Sequence, residues 1–200
     1  MTNPTKAKSP LDPPPFTAER LLLFVTGSIN AALLPYWLNW LRHMYPSLVT
    51  HVAITRSAER FVSVEAMRHF VTGEVWQDSW EDLRLPRSAH IDLEEMTDCF
   101  AVFPATLNTT MRLASGVSDT PTMLALQTTI KPIAIAPAFP GGNVLIDSQI
   151  KRLKQRPNLV FSALVPAFSV SKQAWGFETG FFLPLVLEAL ESVRSERAAT

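Results

Sequence analysis

Cysteine is nearly missing from this chain, with one residue in 200, Cys99. That excludes an internal disulfide framework and suits a reducing compartment. Glycine is scarce, at seven residues, and none falls in the spacing of a dinucleotide fingerprint or a Walker loop. Charge is sparse and balanced: 18 basic against 18 acidic residues, for a formal net charge of zero. A strongly basic face does not follow, so nucleic acid is not an expected partner. No apolar run reaches bilayer length without a charge, proline or glycine. The polar, proline-rich start from Met1 to Pro15 lacks the apolar core of a signal peptide. Zinc-ligand spacings, a nucleophile elbow and internal repeats are also absent, so no metal site is expected. The expectation is one soluble cytoplasmic domain with no membrane partner.

What is present is an alternation of apolar strands and helical patterns. Residues 1–18 read as a disordered arm, because Pro13-Pro14-Pro15 enters neither a helix nor a ladder. Residues 19–195 form the domain, and 196–200 a frayed tail. Leu21-Leu22-Leu23-Phe24-Val25 is a continuous apolar strand of the kind buried on both faces. Thr26-Gly27-Ser28-Ile29-Asn30 breaks it, and a helix is expected from Ile29 to His43. This is half of a nucleotide-binding unit. Ser28 and Asn30 either donate to a phosphate beside the helix N-terminus, or the turn is a plain strand–helix connection.

Val49 to Thr55 is the second strand. Ser57 is expected to cap the helical pattern that begins at Ala58, or to touch a ligand phosphate. Val64 to Val71 reads as a further helix, and Glu74 to Arg87 as irregular. His90 is expected just ahead of a short helical stretch. Cys99 to Phe103 is the central strand, stopped by Pro104, with a helix following Thr106-Leu107-Asn108-Thr109. Ligands of open α/β sheets bind at such carboxyl ends of strands. Met123 to Ile130 and Val144 to Leu153 are expected helices, with a strand at Pro132 to Ala136 between them. An extended loop from Pro137 to Asn143 follows that strand. Leu159 to Leu164 is the last strand, Pro166 to Gly180 a loop, and Phe181 to Arg194 the closing helix. The alternation implies an α/β, single-domain, Rossmann-like three-layer fold with a parallel sheet of five or six strands.

Several stretches together resemble the homo-oligomeric flavin-containing cysteine decarboxylases, over roughly Arg20 to Leu190. Pro104-Ala105-Thr106-Leu107-Asn108-Thr109 is similar to that family's hallmark Pro-Ala-Ser-Ala-Asn-Thr. Gly27-Ser28-Ile29 resembles its first flavin-binding turn, and Thr55, Ser57 and Phe61 its second. His90-Ile91-Asp92-Leu93 looks like its His-Ile-x-Leu, whose histidine is the base. Ser118-Asp119 matches the loop after the hallmark helix. The resemblance thus implies His90 and Asn108 as catalytic residues. It implies Gly27, Ser28, Ile29, Asn30, Thr55, Ser57, Phe61, Ala105, Thr106, Asn108, Thr109, Ser118 and Asp119 as flavin-binding ones. FMN is the family default, with FAD possible. The family builds trimers and often dodecamers.

Two departures bear on the substrate. Pro137-Ala138-Phe139-Pro140 stands where the family has Pro-Ala-Met-Asn, so Phe139 and Asn143 become the substrate-binding candidates there. Ala174-Trp175-Gly176 stands where the phosphopantothenoylcysteine decarboxylases carry Ala-Cys-Gly. Without that thiol the enethiol product is not reduced further. This points to the peptidyl-cysteine decarboxylases of the epidermin type, with Trp175 near the substrate. The implied partner is a ribosomal precursor peptide, lanthipeptide or related, ending in cysteine. The implied reaction oxidises the cysteine to a thioaldehyde, whose C=S holds the charge left by departing carbon dioxide. The product is an aminoenethiol, destined for aminovinyl-cysteine. A phosphopantothenoylcysteine decarboxylase, a prenyl-transferring flavin enzyme of similar fold and a non-catalytic flavin-binding regulatory subunit are the competing readings.

Overall fold

Runs such as Leu21 to Val25 have no polar side to offer water, so they settle only in a sheet covered on both faces. The computed structural model describes residue 9 and residues 11–82, 88–139, 141–169 and 172–198. Its strands are β1 (Arg20–Val25), β2 (Val49–Ile54), β3 (Val75–Gln77), β4 (Cys99–Ala105), β5 (Ile133–Pro137) and β6 (Leu159–Phe161). They pair in the order β3-β2-β1-β4-β5-β6, every pair parallel. The helices are α1 (Leu34–Met44), α2 (Val64–Arg68), α3 (Ala89–Glu95), α4 (Leu107–Ala114), α5 (Pro121–Thr128), α6 (Val144–Lys154) and α7 (Leu183–Ala198).

Successive strand residues point to opposite faces, and the buried side chains divide accordingly. Leu21, Leu23 and Val25 join α1, α2 and α7 in one cluster. Leu22 and Phe24 join residues of α3, α4, α5 and α6 in the other. From β1 the chain builds outward through β2 and β3, then returns to lay β4 on the other side of β1. The carboxyl ends of β1 and β4 are therefore the point where the connections part, one to each face.

Local chemistry explains where the elements differ from expectation. The helix expected from Ile29 begins as a 3₁₀ turn (Ile29–Leu33) and becomes α1 only at Leu34, because Pro35 takes a first-turn position where its missing N–H costs nothing. After Ser57 only a three-residue 3₁₀ turn forms (Ala58–Arg60). The Glu74 to Arg87 stretch contains a short edge strand, β3, although residues 83–87 lie outside the described residues. His90 lies inside α3 rather than ahead of it. Pro104 does not stop β4: the strand runs to Ala105, with a register shift against β5 between Val102 and Ala105, where a proline fits without a ladder hydrogen bond.

The expected loop at 166–180 is mostly an antiparallel hairpin, β7 (Val165–Ser169) and β8 (Ala174–Thr179). Gln173 and Gly176 supply its positive φ angles, 50° and 102°. The closing helix reaches Ala198, so Glu196 to Ala198 of the expected frayed tail are helical.

The arm was expected to be disordered; residues 1–8 and 10 lie outside the described residues, but 11–18 are held against the domain. Trp40 Nε1 donates to Leu11 O (3.2 Å), Tyr45 Oη to Pro14 O (2.6 Å), and Thr17 N and Oγ1 to Glu191 (2.9 and 2.6 Å). Burial and, secondarily, the Glu188 carboxylate push the Tyr45 hydroxyl up to about 12, so it stays a donor at neutral pH.

Phe103 is fully buried and stacks on Phe181, centroids 4.2 Å apart. Phe103→Ala is expected to cost about 3–5 kcal/mol, read as a lower urea midpoint with an unchanged slope.

Candidate active site

The carboxyl edge is built around one buried hydroxyl. Thr26, 1% exposed, donates from Oγ1 to Pro104 O (2.6 Å) and accepts the N–H of Thr106 (2.9 Å). It thereby ties the end of β1 to the end of β4. Thr106 in turn caps α4: its Oγ1 lies 3.4 Å from the Thr109 amide and donates to Thr109 Oγ1 at 3.1 Å. Asn108 follows, itself exposed, on the first turn of α4, and its amide makes no side-chain hydrogen bond among the described residues. Ala105 O accepts the Ala138 N–H (2.9 Å), which fixes the start of the loop leading to Phe139.

The tip of β2 closes against the tip of β1. A Cβ on Gly27 would lie 2.5 Å from Ser57 Oγ and 3.1 Å from the Ser57 carbonyl carbon, so only glycine lets the two turns approach this closely. Thr55 Oγ1 donates to Val25 O (3.2 Å) and receives the Ala58 N–H (3.3 Å). The cap expected of Ser57 is thus made by Thr55, and Ser57 makes no cap bond. Its Oγ, 3.1 Å from Thr55 Oγ1, stays exposed. Ser28 caps the turn at Ile29 by accepting the Asn30 N–H (3.3 Å). Phe61 is partly exposed beyond it.

These tips leave backbone donors unspent. The N–H groups of Gly27, Arg56 and Ser57 meet no carbonyl among the described residues. Those opening the Ile29 turn and α4 have no intrahelical acceptor. Donors from three adjacent strand ends, with hydroxyls beside them, suit the phosphate of a cofactor bound at the carboxyl edge.

His90 lies in the first turn of α3. The far end of that helix is anchored at the amino edge, where Arg20 Nη1 donates to Glu95 O (2.9 Å). The histidine therefore sits at the end directed toward the strand tips. Its Nδ1 is buried without a hydrogen-bond partner, which leaves Nε2 as the accessible nitrogen.

The other expected residues are engaged as follows. Asp119 is paired with Arg112, and its carbonyl accepts from Trp80 Nε1 (2.9 Å); Ser118 Oγ donates to Gly116 O (3.2 Å). Both belong to the α4–α5 connection, tied to the segment that follows β3. Asn143 caps α6, its Oδ1 accepting the Ile146 N–H (3.0 Å), so only its NH₂ remains to meet a carboxylate. Trp175 is 71% exposed on β8, in edge contact with Phe168. Pro140 lies outside the described residues.

Asp78 escaped the sequence reading. It is 6% exposed at the end of β3, its Oδ1 accepts the Thr122 N–H at the start of α5 (2.9 Å), and Oδ2 has no partner. Burial holds its carboxyl above the usual range, against the opposing effect of the polar groups of Thr120 and Thr122 beside it. The one sequence signal was an acidic residue just after a β-prone Val-Trp pair. Among the described residues no group of His, Cys, Asp and Glu is placed to hold a metal ion.

Fold and strand tips together define a nucleotide-type cofactor site in an open α/β sheet. The comparisons agree: the flavoprotein family model matches residues 15–170. The chain is 43% identical to the cypemycin cysteine dehydrogenase (decarboxylating) of a Streptomyces species, over 90% of this chain and 95% of that protein. The crystal structure of the cypemycin decarboxylase CypD superposes with a TM-score of 0.79 at 42% identity, covering 90% of this chain and 96% of that one. The FMN-dependent cysteine decarboxylase SpaF shares the fold, with a TM-score of 0.69 at 22% identity over 88% and 97% of the two chains. The chain belongs to the flavoprotein family, among its cysteine-decarboxylating enzymes.

Two outcomes follow from the geometry. Thr26→Val keeps the shape but orphans the Thr106 N–H and the Pro104 carbonyl. It is expected to lower stability by about 1–3 kcal/mol and to release flavin, measured by urea unfolding and by absorbance of the purified protein. For Asp78, the unfolded state ionises before the folded one as pH rises, because the folded pKa is raised. Its contribution to stability is therefore greatest below the ordinary aspartate pKa and falls as pH climbs from there through the raised value. Asp78→Asn retains the Oδ1 acceptor and offers an NH₂ to the unpartnered Thr122 Oγ1. It is expected to be more stable than wild type at pH 7 and to lose that pH dependence, read from urea midpoints between pH 4 and 7.

Proposed function

We propose that this protein oxidatively decarboxylates the C-terminal cysteine of a ribosomal precursor peptide, releasing carbon dioxide and leaving an aminoenethiol, with FMN as its flavin. One observation carries the choice of product. The chain's sole thiol, Cys99, is fully buried in β4, and burial pushes it up to about 12. No protein thiolate is therefore available to reduce the enethiol, so the unsaturated product is the end of the reaction. The similarity to the cypemycin enzyme supports the same reading.

The chemistry that flavin supplies when bound is the removal of two electrons from the substrate's thiol-bearing carbon, which leaves a thioaldehyde beside Cα. The chain's own residues do the rest. His90 takes the thiol proton at Nε2, the nitrogen left accessible when Nδ1 is buried. The unspent amides at Gly27, Arg56 and Ser57, with the Ser28 and Ser57 hydroxyls, hold the phosphate end of the cofactor. The free amide of Asn108 orients either the ring or the peptide backbone. The Asn143 NH₂ meets the substrate carboxylate, and Phe139 and Trp175 supply apolar walls near the peptide. With the electron pair of the breaking Cα–carboxylate bond drawn into C=S, the carboxylate leaves as carbon dioxide.

A homo-oligomer, a trimer grouped into a dodecamer, fits the exposed apolar side chains Leu33, Tyr36, Val144 and Leu145. Among the described residues no helix is long and apolar enough to cross a membrane, in keeping with the cytoplasmic placement we assign.

His90→Asn tests the base. The variant is expected to purify yellow yet fail to remove carbon dioxide plus two hydrogens from a peptide ending in cysteine, followed by mass spectrometry. Full turnover in that variant would refute the assignment, and conversion of phosphopantothenoylcysteine to a saturated thiol would refute the choice of product.

A further inference from the structure

The described part of the N-terminal arm climbs the sheet. Its bonds run from Thr17 with Glu191, through Pro14 with Tyr45 at the end of α1, to Leu11 with Trp40 further up α1. Since α1 descends from the strand tips, each bond lies nearer the carboxyl edge than the last. At the top the arm meets α7 and the hairpin. A cavity of about 600 Å³ opens there, lined by Ser9 and Asp12 of the arm, Val165 of β7, and Phe182, Leu185 and Glu188 of α7. Its volume lies in the range of ligand sites.

Two features say what belongs in it. The first is continuity with the active site. Val165 pairs with Thr179, whose Oγ1 donates to Pro137 O (3.2 Å), and the Gly180 N–H donates to the same carbonyl (2.6 Å). Pro137 ends β5 and opens the loop that carries Phe139 and Asn143. The cavity is therefore tied through the hairpin to the loop that carries the proposed substrate-binding residues. The second is charge. The walls are apolar, and their titratable members are two carboxylates. Glu188 is exposed and pairs with no cation among the described residues. Asp12 Oδ2 accepts the Ser9 N–H (2.7 Å), which holds its charge at the rim. Apolar walls with acidic ends match a long aliphatic side chain that carries a cation, the form of lysine or arginine.

We propose that this cavity, closed on one side by the N-terminal arm, holds the segment of the precursor peptide that precedes the terminal cysteine and selects a basic residue there. The inference rests on the peptide-decarboxylating reading of the preceding section. It adds a specificity element outside the strand tips.

The test uses the full-length, flavin-loaded enzyme and alanine-based heptapeptides ending in cysteine. One lysine, or one glutamate, is placed in turn at each of the four positions before the cysteine. At one or more positions the lysine peptide is expected to be favoured over its glutamate counterpart by about fivefold in kcat/KM, the size of a partly solvated charge pair, with the difference carried by KM. Glu188→Gln is expected to shrink the preference and Glu188→Lys to reverse it. Decarboxylation of all peptides with no lysine preference, or a preference that Glu188→Lys leaves untouched, overturns the inference and leaves the activity standing. A preference-free enzyme whose oligomeric size changes with Glu188→Lys overturns it in favour of a neighbouring copy as the occupant. Failure to decarboxylate any cysteine peptide overturns the activity itself and this inference with it.

Discussion

The hydroxyl of Thr26 sits at the centre of the sheet, where the neighbouring strands β1 and β4 send their connections to opposite faces. Packing draws the turn after β1 toward α1 and the turn after β4 toward α4, and the last ladder pair of the two strands is Phe24 with Val102, so a link beyond it has to join the tips. The hydroxyl is that link, donating to Pro104 O and accepting from the Thr106 N–H. Through Thr106 the same bond network reaches the cap of α4 and sets the position of Asn108. A buried group that both gives and accepts is costly to lose, because its removal strands two partners. The separation of the turns that hold the cofactor is therefore fixed by a polar contact inside an otherwise apolar core.

The remaining polar groups at the carboxyl edge divide their labour. Thr55 absorbs the capping work, which leaves the Ser57 hydroxyl exposed. Asp78 spends one oxygen on α5 and so pins the segment after β3 to the helix that precedes β5. Its second oxygen, buried and unpaired, is a standing cost that the domain carries to keep this junction closed. The Asn143 cap of α6 leaves one functional group over for chemistry. Thr55 and Asn143, both expected as ligand contacts, also hold up the backbone that presents them.

The central strands were legible because β1, β4 and β5 are continuous apolar runs, a signal that survives without tertiary context. The edge strand β3 was not: three residues in an acidic, tryptophan-containing stretch carry no period, and only pairing with β2 makes them a strand. The hairpin was hidden for a related reason, since Pro166 and Gly176 read as breakers until the antiparallel register is seen. Prolines 13 to 15 exclude a helix, yet they do not prevent docking through main-chain carbonyls, as the Tyr45 bond to Pro14 O shows. Thr26, Gly27 and Thr106 fall in turns that the sequence places directly after a strand, but the bond by which Thr26 ties the two turns together needed the fold. The choice between Thr55 and Ser57 as the cap depended on φ and ψ, which residue types do not encode. His90 stood out by its likeness to a motif and not by any physical pattern of its own. Asp78 needed the fold, because its partner Thr122 lies 44 residues away.

Cys99 fills a core position in β4, where it is fully buried and held as the neutral thiol. An enzyme whose proposed substrate is itself a thiol is thereby silent toward thiol-directed reagents such as maleimides and iodoacetamide. In a reaction mixture, alkylation reports on the peptide alone. An electrophilic analogue of the peptide would likewise find no protein sulfur to capture, so covalent trapping of the complex has to be engineered at an introduced cysteine.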